Sequence, residues 1–320
     1  MHEKCEQLGR IGVLMGGDSS ERKISLKSGK AIYEALKKKG CQVFSCEICS
    51  SQKDEILSVI KRHDVNIVFI ALHGGSGENG TVQGFLEEAG IPYTGTDQQA
   101  SSLAMNKVAT QSLLKEQGVV VPPNKICVKG ERISLANILD ELKGLPLVVK
   151  PSEEGSSIGV SIVYKEEELQ EAVHLAFQYG DNILIEKYIE GREMTVGILG
   201  EEALPVVEII PKSKFFDFLA KYEKGKTDYI VPANIPQQVA EKIQKTALEI
   251  NRILGCRDFS RLDFILNGRN QPFFLEVNTI PGFTSTSLLP MAALQVGYSF
   301  DELCLRIIEL AVKRSKLKKC

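Results

Sequence analysis

No stretch of the chain approaches the roughly 18 consecutive apolar residues that a membrane span requires. The polar segment from Met1 to Arg10 carries no targeting pattern, so the sequence predicts a cytoplasmic protein without membrane insertion. Charge of one sign is also missing. With 39 Lys and Arg against 41 Asp and Glu, the net charge of -2 gives no reason to expect nucleic acid or anionic lipid as a partner. Cysteine occurs eight times but lacks paired spacing: Cys46-x-x-Cys49 has no second pair at zinc distance and no redox context, and the eight read as reduced thiols. Repeats and low-complexity linkers are absent too. What remains, 320 residues with 43% hydrophobic and 25% charged content, predicts a globular chain of two or three domains.

Three blocks follow one another. In the first, a buried strand at 10–15 leads through Gly16-Gly-Asp18-Ser-Ser-Glu21, an Asp-x-x-Glu capping pattern, into a helix. Ile24, Ala31, Ile32, Ala35 and Leu36 form its apolar face. Strands at 42–48 and 66–72 alternate with helices at 54–62 and 81–89, a doubly wound α/β pattern. Its active edge is expected where the strands end, at Glu21 and His73. The middle block has a helix at 105–117, strands at 147–150 and 160–163, and a helix at 166–177. Between its strands, Pro151-Ser-Glu-Glu-Gly155-Ser156-Ser157-Ile-Gly159 is a donor-rich flap suited to phosphates, with Lys150 at its base and Lys107 on the preceding helix to neutralise them. A surface turn between solvated lysines is the plain alternative. The last block has strands at 183–188, 194–199 and 204–210 and helices at 236–254 and 300–313. Between Pro211 and Pro232 the sequence shows neither period, and a loop of that length, here carrying Lys221-Tyr222, is usually functional.

The most informative segment runs from Phe259 to Leu289. Arg261-Leu-Asp263 and Glu276-Val-Asn278 sit on two strands joined around Asn267-Gly268, a hairpin signal. Residues two apart in a strand share a face, so Arg261 pairs with Asp263 and Glu276 with Asn278. Any antiparallel register in which opposed residue numbers sum to an odd value puts all four on one face; an even sum splits them. Two carboxylates, a carboxamide and an arginine on one face suit a hard cation such as Mg2+, completed by water and phosphate. The loop that follows, from Thr279 to Pro290, holds Pro, Gly and five hydroxyl residues before an apolar helix expected near Met291. Its backbone N–H groups suit a substrate carboxylate or a developing oxyanion.

Two motifs point elsewhere. Gly75-Ser-Gly77-Glu-Asn-Gly80 matches G-x-G-x-x-G, follows a strand and opens a helix, which keeps a dinucleotide-binding dehydrogenase as the alternative from another enzyme class. It follows the third strand and not the first, and no hydride-transfer site accompanies it. Ala220-Lys-Tyr-Glu-Lys-Gly225-Lys226-Thr227 is one glycine short of a phosphate-binding loop, and Pro232 leaves no room for the helix such a loop needs.

Read in order, Gly16-Gly-Asp-Ser-Ser-Glu21-Arg, His73-Gly-Gly-x-Gly-Glu78-Asn-Gly80, Lys150-Pro-Ser-x-Glu-Gly155-Ser-Ser-x-Gly159, Ile185-Glu186-Lys187, Arg261-x-Asp263 and Glu276-x-Asn278-Thr-x-Pro281-Gly282 closely resemble the D-alanine-D-alanine ligases, ATP-grasp enzymes of peptidoglycan synthesis. The resemblance spans about Arg10 to Ala311. It implies an N-terminal doubly wound α/β substrate domain (1–95) followed by a two-subdomain ATP-grasp fold, central (96–182) and C-terminal catalytic (183–320). It places Lys107 and Lys150 on the phosphates of ATP, Glu186, Lys187 and Ile189 against adenine, Glu193 on the ribose, and Lys221 on the γ-phosphate as its loop closes. Asp263, Glu276 and Asn278 become ligands of Mg2+ or Mn2+, two ions in all. Glu21 takes the first amino group, Arg261 and the Gly282 N–H the oxyanion, Ser287 and the Leu288 N–H the second carboxylate, with His73 also beside substrate. Ser156 and Tyr222 link to Glu21. The implied reaction joins two D-alanines through an acyl phosphate and releases ADP and phosphate, in a homodimer. Ligases that use D-lactate or D-serine belong to the same family, and Tyr222 matches the D-alanine enzymes.

Overall fold

In the computed structural model of the chain, residue 5 and residues 7–212 and 226–317 are described. They build three sheets. In the first, β1 (Ile11–Gly16) lies between β2 (Val43–Ile48) and β3 (Ile67–Ile70), all parallel, with α1 (Arg22–Lys38) and α2 (Lys53–Arg62) in the connections and α3 (Thr81–Glu88) following β3. All six residues of β1 are buried, as a central parallel strand covered on both faces requires. Gly29 lets α1 sit close on that strand, since a Cβ there would fall 2.5 Å from the Met15 Cβ. The Asp18 cap expected from the sequence is not made. Asp18 instead accepts from the Ser51 hydroxyl at 2.9 Å and the Ser51 N–H at 3.2 Å, which tie the Gly16–Glu21 turn to the chain after β2. Those two bonds, the hydroxyl's first, hold its carboxyl below the ordinary aspartate range.

Helices α4 (Gln98–Met105) and α5 (Lys107–Glu116) lead to a four-stranded antiparallel sheet. Its strands are β4 (Asn124–Val128), β5 (Leu147–Pro151), β6 (Ser161–Val163) and β7 (Asn182–Lys187), in the order β4-β7-β5-β6. Helices α6 (Leu135–Glu141) and α7 (Glu166–Ala176) bury its outer face around Leu147, Val149, Leu169 and Ile183. β4, α4 and α6 carry little periodic signal: β4 is an edge strand with only Cys127 buried, and α6 is seven residues long.

The third sheet is antiparallel. It runs β11 (Thr227–Ile230), β10 (Val207–Pro211), β8 (Gly191–Leu199), β12 (Phe259–Asn267), β13 (Pro272–Asn278), with β9 (Glu202–Ala203) beside β8. β11 falls inside the segment that shows no period in the sequence; it is four residues long with only Thr227 buried. Helix α8 (Gln237–Ile253) packs on this sheet through Ile243, Ala247 and Ile250. Helix α9 (Leu288–Gln295) begins three residues before the expected Met291, because Pro290 lies in the first turn, where its missing N–H costs no helical bond. Helix α10 (Phe300–Leu317) returns to the first sheet, where Lys38 pairs with Asp301 at 2.6 Å.

The β12–β13 hairpin forms in an odd register at its functional end, Arg261 opposite Asn278 and Asp263 opposite Glu276. A bulge then shifts the register, so that Phe264 opposes Phe274. Without it Phe274 and Glu276, two apart, would share a face. With it Phe274 packs edge-on against Phe264 in the core, centroids 5.8 Å apart, while Glu276 turns to the cleft. The turn is longer than Asn-Gly implies: Asn267 Oδ1 accepts from the N–H of Arg269 and of Gln271, and Asn270 takes the left-handed conformation at φ 57°.

Candidate active site

The four-stranded sheet and the third sheet face each other across a cleft. Its cavity, of about 170 Å³, has apolar walls from Val148 and Ile162 on one side and Met194, Ile209, Ile265 and Leu275 on the other. Ile189, Lys187, Glu193, Asp263 and Glu276 also line it. At its base lies a polar network. Lys150 Nζ meets Glu186 Oε2 at 2.8 Å, both residues buried; Gln111 donates to Glu186 Oε1 at 2.6 Å and accepts from Asn124 at 2.9 Å. A buried ion pair holds only when its remaining acceptors are satisfied, and Gln111 does that here. The Lys187 ammonium is directed elsewhere, donating to the carbonyls of Lys143, Gly144 and Leu145 after α6. Lys107, at the start of α5, reaches the Glu154 carbonyl at 2.6 Å and Glu276 Oε2 at 3.4 Å.

Lys107, Glu154 and Glu276 also line a second, larger cavity of about 610 Å³ between the first sheet and the third. It collects Glu21, His73, Ser156, Arg261, Asn278, Gly282, Ser287 and Leu288. Glu21 is buried, and the Ser156 hydroxyl donates to its Oε1 at 2.5 Å, a short bond to a charged acceptor. Ser156 and Ser157 hold φ of 50° and 62°, a conformation unfavourable for residues with a Cβ and one that clusters at functional loops. Gly74, at φ 70°, is excluded from bearing a side chain, whose Cβ would lie 2.7 Å from Glu21 Oε2. Both ring nitrogens of His73 are near protein groups: Nε2 is 3.0 Å from the Ser28 hydroxyl and Nδ1 is 3.5 Å from Glu78 Oε1. Arg261 grips Asp263 with two bonds, Nε to Oδ1 at 2.9 Å and Nη2 to Oδ2 at 2.8 Å, while the Thr195 hydroxyl adds a third at 2.6 Å. After β13, Asn278 Oδ1 accepts from Ile280 N–H, and Ser287 caps Thr284 N–H at 3.0 Å.

Two family models match the chain, D-ala D-ala ligase N-terminus over residues 49–96 and D-ala D-ala ligase C-terminus over residues 113–309. A D-alanine–D-alanine ligase of Geotalea uraniireducens is 45% identical over 303 residues, 94% of this chain and 95% of that protein. The chain belongs to the D-alanine–D-alanine ligase family. A D-alanine–D-alanine ligase of Bacillus anthracis, solved in complex with ATP, superposes with a TM-score of 0.85 at 34% identity, over 97% of this chain and 99% of that one. A D-Ala:D-Ser ligase of Enterococcus faecalis superposes at 0.82 with 31% identity, over 94% and 99%. These solved members give the chain the ATP-grasp fold of the family.

Family membership removes the dehydrogenase alternative, and local structure gives the reason. Gly75–Gly77 closes into a single 3₁₀ turn, and the first N–H of α3, from Thr81, is taken by the Asn79 side chain. One N–H of that helix end is thereby occupied, and the glycines serve the approach of Gly77 to Leu72 and of Gly80 to Gln98. Lys221 and Tyr222 lie outside the described residues. The residues that sequence reasoning missed are supports: Gln111 and Asn124 under Glu186, Thr195 on Asp263, Ser28 beside His73. None has a local signal, because each is brought to its partner by a different strand or helix.

Among the described residues no group of three or more His, Cys, Asp and Glu side chains could hold a metal ion by itself. The hairpin offers two carboxylates and a carboxamide, an oxygen-only set that fits a cation sharing its shell with phosphate. Asp263 is oriented by Arg261 and Thr195 and keeps a lone pair on Oδ2, where Arg261 Nη2 is the other partner. No described helix is long and apolar enough to cross a membrane.

Proposed function

We propose that the chain joins two D-alanine molecules at the expense of ATP, giving D-alanyl-D-alanine, ADP and phosphate for peptidoglycan synthesis. Membership of the family supports the reaction. The observation that supports its placement is the junction of the two cavities at Lys107, Glu154 and Glu276, which lets a nucleotide in one present its γ-phosphate to a small substrate in the other. The apolar smaller cavity takes adenine beside Ile189 and the 186–187 backbone, and Glu193 takes the ribose. The ammonium of Lys187 serves the turn after α6 and not the base. Lys107 and Lys150 face the phosphates.

A carboxylate is a poor electrophile. An oxygen of the first D-alanine carboxylate attacks the γ-phosphorus, ADP leaves, and the acyl phosphate so formed is attacked at carbon by the amine of the second D-alanine, expelling phosphate. Glu21, held by Ser156, receives the first ammonium group. Arg261 and the Gly282 N–H stabilise the tetrahedral oxyanion. Ser287 and the Leu288 N–H, at the start of α9, receive the second carboxylate. Asp263, Glu276 and Asn278 hold Mg2+, which when bound offsets phosphate charge. Lys221 is assigned to the γ-phosphate and Tyr222 to the Glu21 and Ser156 set, and the working unit is a homodimer with domains at 1–95, 96–182 and 183–320.

ADP release assayed across D-alanine, D-serine, D-lactate and L-alanine, with products resolved by mass, tests the reading. D-alanine is expected as donor and preferred acceptor, increasingly so as rising pH frees its amine. Predominant D-alanyl-D-lactate or D-alanyl-D-serine at neutral and mildly alkaline pH would overturn the acceptor assignment, and no D-alanine-dependent ADP release would overturn the reaction.

A further inference from the structure

Helix α1 buries two serines one turn apart, Ser25 and Ser28, each at 0% exposure. Ser25 is accounted for by the fold. Its hydroxyl donates to the Ala71 carbonyl and accepts from Gly16 N–H, both at 2.8 Å, clamping the helix to the ends of β1 and β3. Ser28 has other partners. Its Oγ lies 3.0 Å from His73 Nε2 and accepts from the backbone N–H of Phe283 at 3.2 Å. The carbonyl of His73 in turn accepts from the Ser19 hydroxyl at 2.6 Å, and its Nδ1 faces Glu78 at 3.5 Å.

These contacts have one self-consistent direction when His73 is neutral. Phe283 N–H donates to Ser28 Oγ, so the hydroxyl proton goes to His73 Nε2, and the ring proton sits on Nδ1 toward the Glu78 carboxylate. Every donor then meets an acceptor. A hydroxyl can accept from an amide and donate to an imidazole at once; a methyl group would leave the amide and the ring nitrogen both unpaired in a buried site.

The Phe283 N–H belongs to the Gly282–Phe283 peptide. Glycine has little steric preference of its own, so the orientation of the peptides beside Gly282 must be imposed from outside. On the far side the Phe283 ring is packed among Phe69, Phe259 and Phe300, with centroids 5.6 to 5.8 Å away. That packing places the ring, whereas the hydrogen bond to Ser28 acts on the peptide itself. We propose that Ser28 is a positioning residue of the ligase reaction: through the Phe283 N–H it holds the Gly282–Phe283 peptide, and so anchors on its C-terminal side the Gly282 backbone from which the Gly282 N–H of the preceding peptide projects, from a helix of the first sheet that also carries the His73 contact. The inference rests on the reading above that Gly282 N–H faces the developing oxyanion.

A donor aimed at charge that develops only in the transition state affects kcat and not nucleotide binding, which takes place in the other cavity. Ser28→Ala, Ser28→Cys and Ser28→Thr are compared with the unsubstituted chain for kcat, for KM of ATP and for thermal unfolding. Ser28→Ala and Ser28→Cys are expected to lower kcat by roughly tenfold to a hundredfold. KM for ATP should stay within about twofold, and Ser28→Thr, which keeps the hydroxyl, should recover most of the loss. Ser28→Ala turning over within about twofold of the unsubstituted chain, or KM for ATP rising in step, would each overturn the proposal. If Ser28→Ala does not fold, the comparison of threonine with cysteine decides, equal rates for the two refuting it. Absence of D-alanine-dependent ADP release from the unsubstituted chain would instead refute the underlying reading.

Discussion

Replacing Lys150 by methionine separates what the Lys150–Glu186 pair does for the fold from what Lys150 does for the nucleotide. Both residues are buried, at 7% and 2% exposure, and Nζ and Oε2 are 2.8 Å apart. Removing one member of a buried pair leaves an uncompensated charge, and the usual cost is about 3–5 kcal/mol. Glu186 retains one good neighbour, the Gln111 amide at 2.6 Å, which places the expected loss near the lower end, about 3 kcal/mol. Adding Glu186→Gln removes the orphaned charge while keeping an amide that can still bond Gln111, so the double variant should recover at least about half of that stability. It should not recover nucleotide affinity. A charged hydrogen bond to phosphate is worth about 1.5–3 kcal/mol, and its loss should raise KM for ATP roughly tenfold to a hundredfold in both variants. Urea unfolding followed by circular dichroism measures the first effect and initial-rate kinetics the second. A double variant no more stable than Lys150→Met would refute the buried coupling, and an unchanged KM for ATP in Lys150→Met would refute the placement of Lys150 on the phosphates.

Glu276→Gln should keep the fold, since the amide fills the same space at the bulge, while turnover falls by about a hundredfold or more through loss of a cation ligand. Near-normal rates at saturating Mg2+ would exclude Glu276 from the metal site. Thiol labelling of the native chain at mildly alkaline pH should modify Cys49, the one exposed cysteine among the described residues, and spare Cys46, Cys127, Cys256 and Cys304. Burial drives these thiols up, Cys46 to about 11 and Cys256 to about 12, so almost no thiolate is present at the labelling pH. Peptide mapping that finds Cys46 modified as readily as Cys49 would contradict the burial of Cys46 in β2.

The chain's own sequence determined the elements whose periodicity is strong and the residues whose chemistry is local. The β1 run of six buried residues, the α8 stripe and the Arg261, Asp263, Glu276, Asn278 set could all be read from spacing, because a strand repeats every two residues and a helix every 3.6. The order of six motifs sufficed to place the chain in its family. Spacing could not reveal the bulge between Asp263 and Phe264, since a single inserted residue leaves no trace in composition. Nor could it show that Asp18 leaves its own helix for Ser51, or that the Lys187 ammonium is drawn to three carbonyls after α6. The contacts that support the site join residues far apart in the chain: Ser28 with Phe283, Gln111 with Glu186, Ser156 with Glu21. Only tertiary structure decides these, because a hydrogen bond acts over about 3 Å and depends on which strands and helices packing brings within that distance.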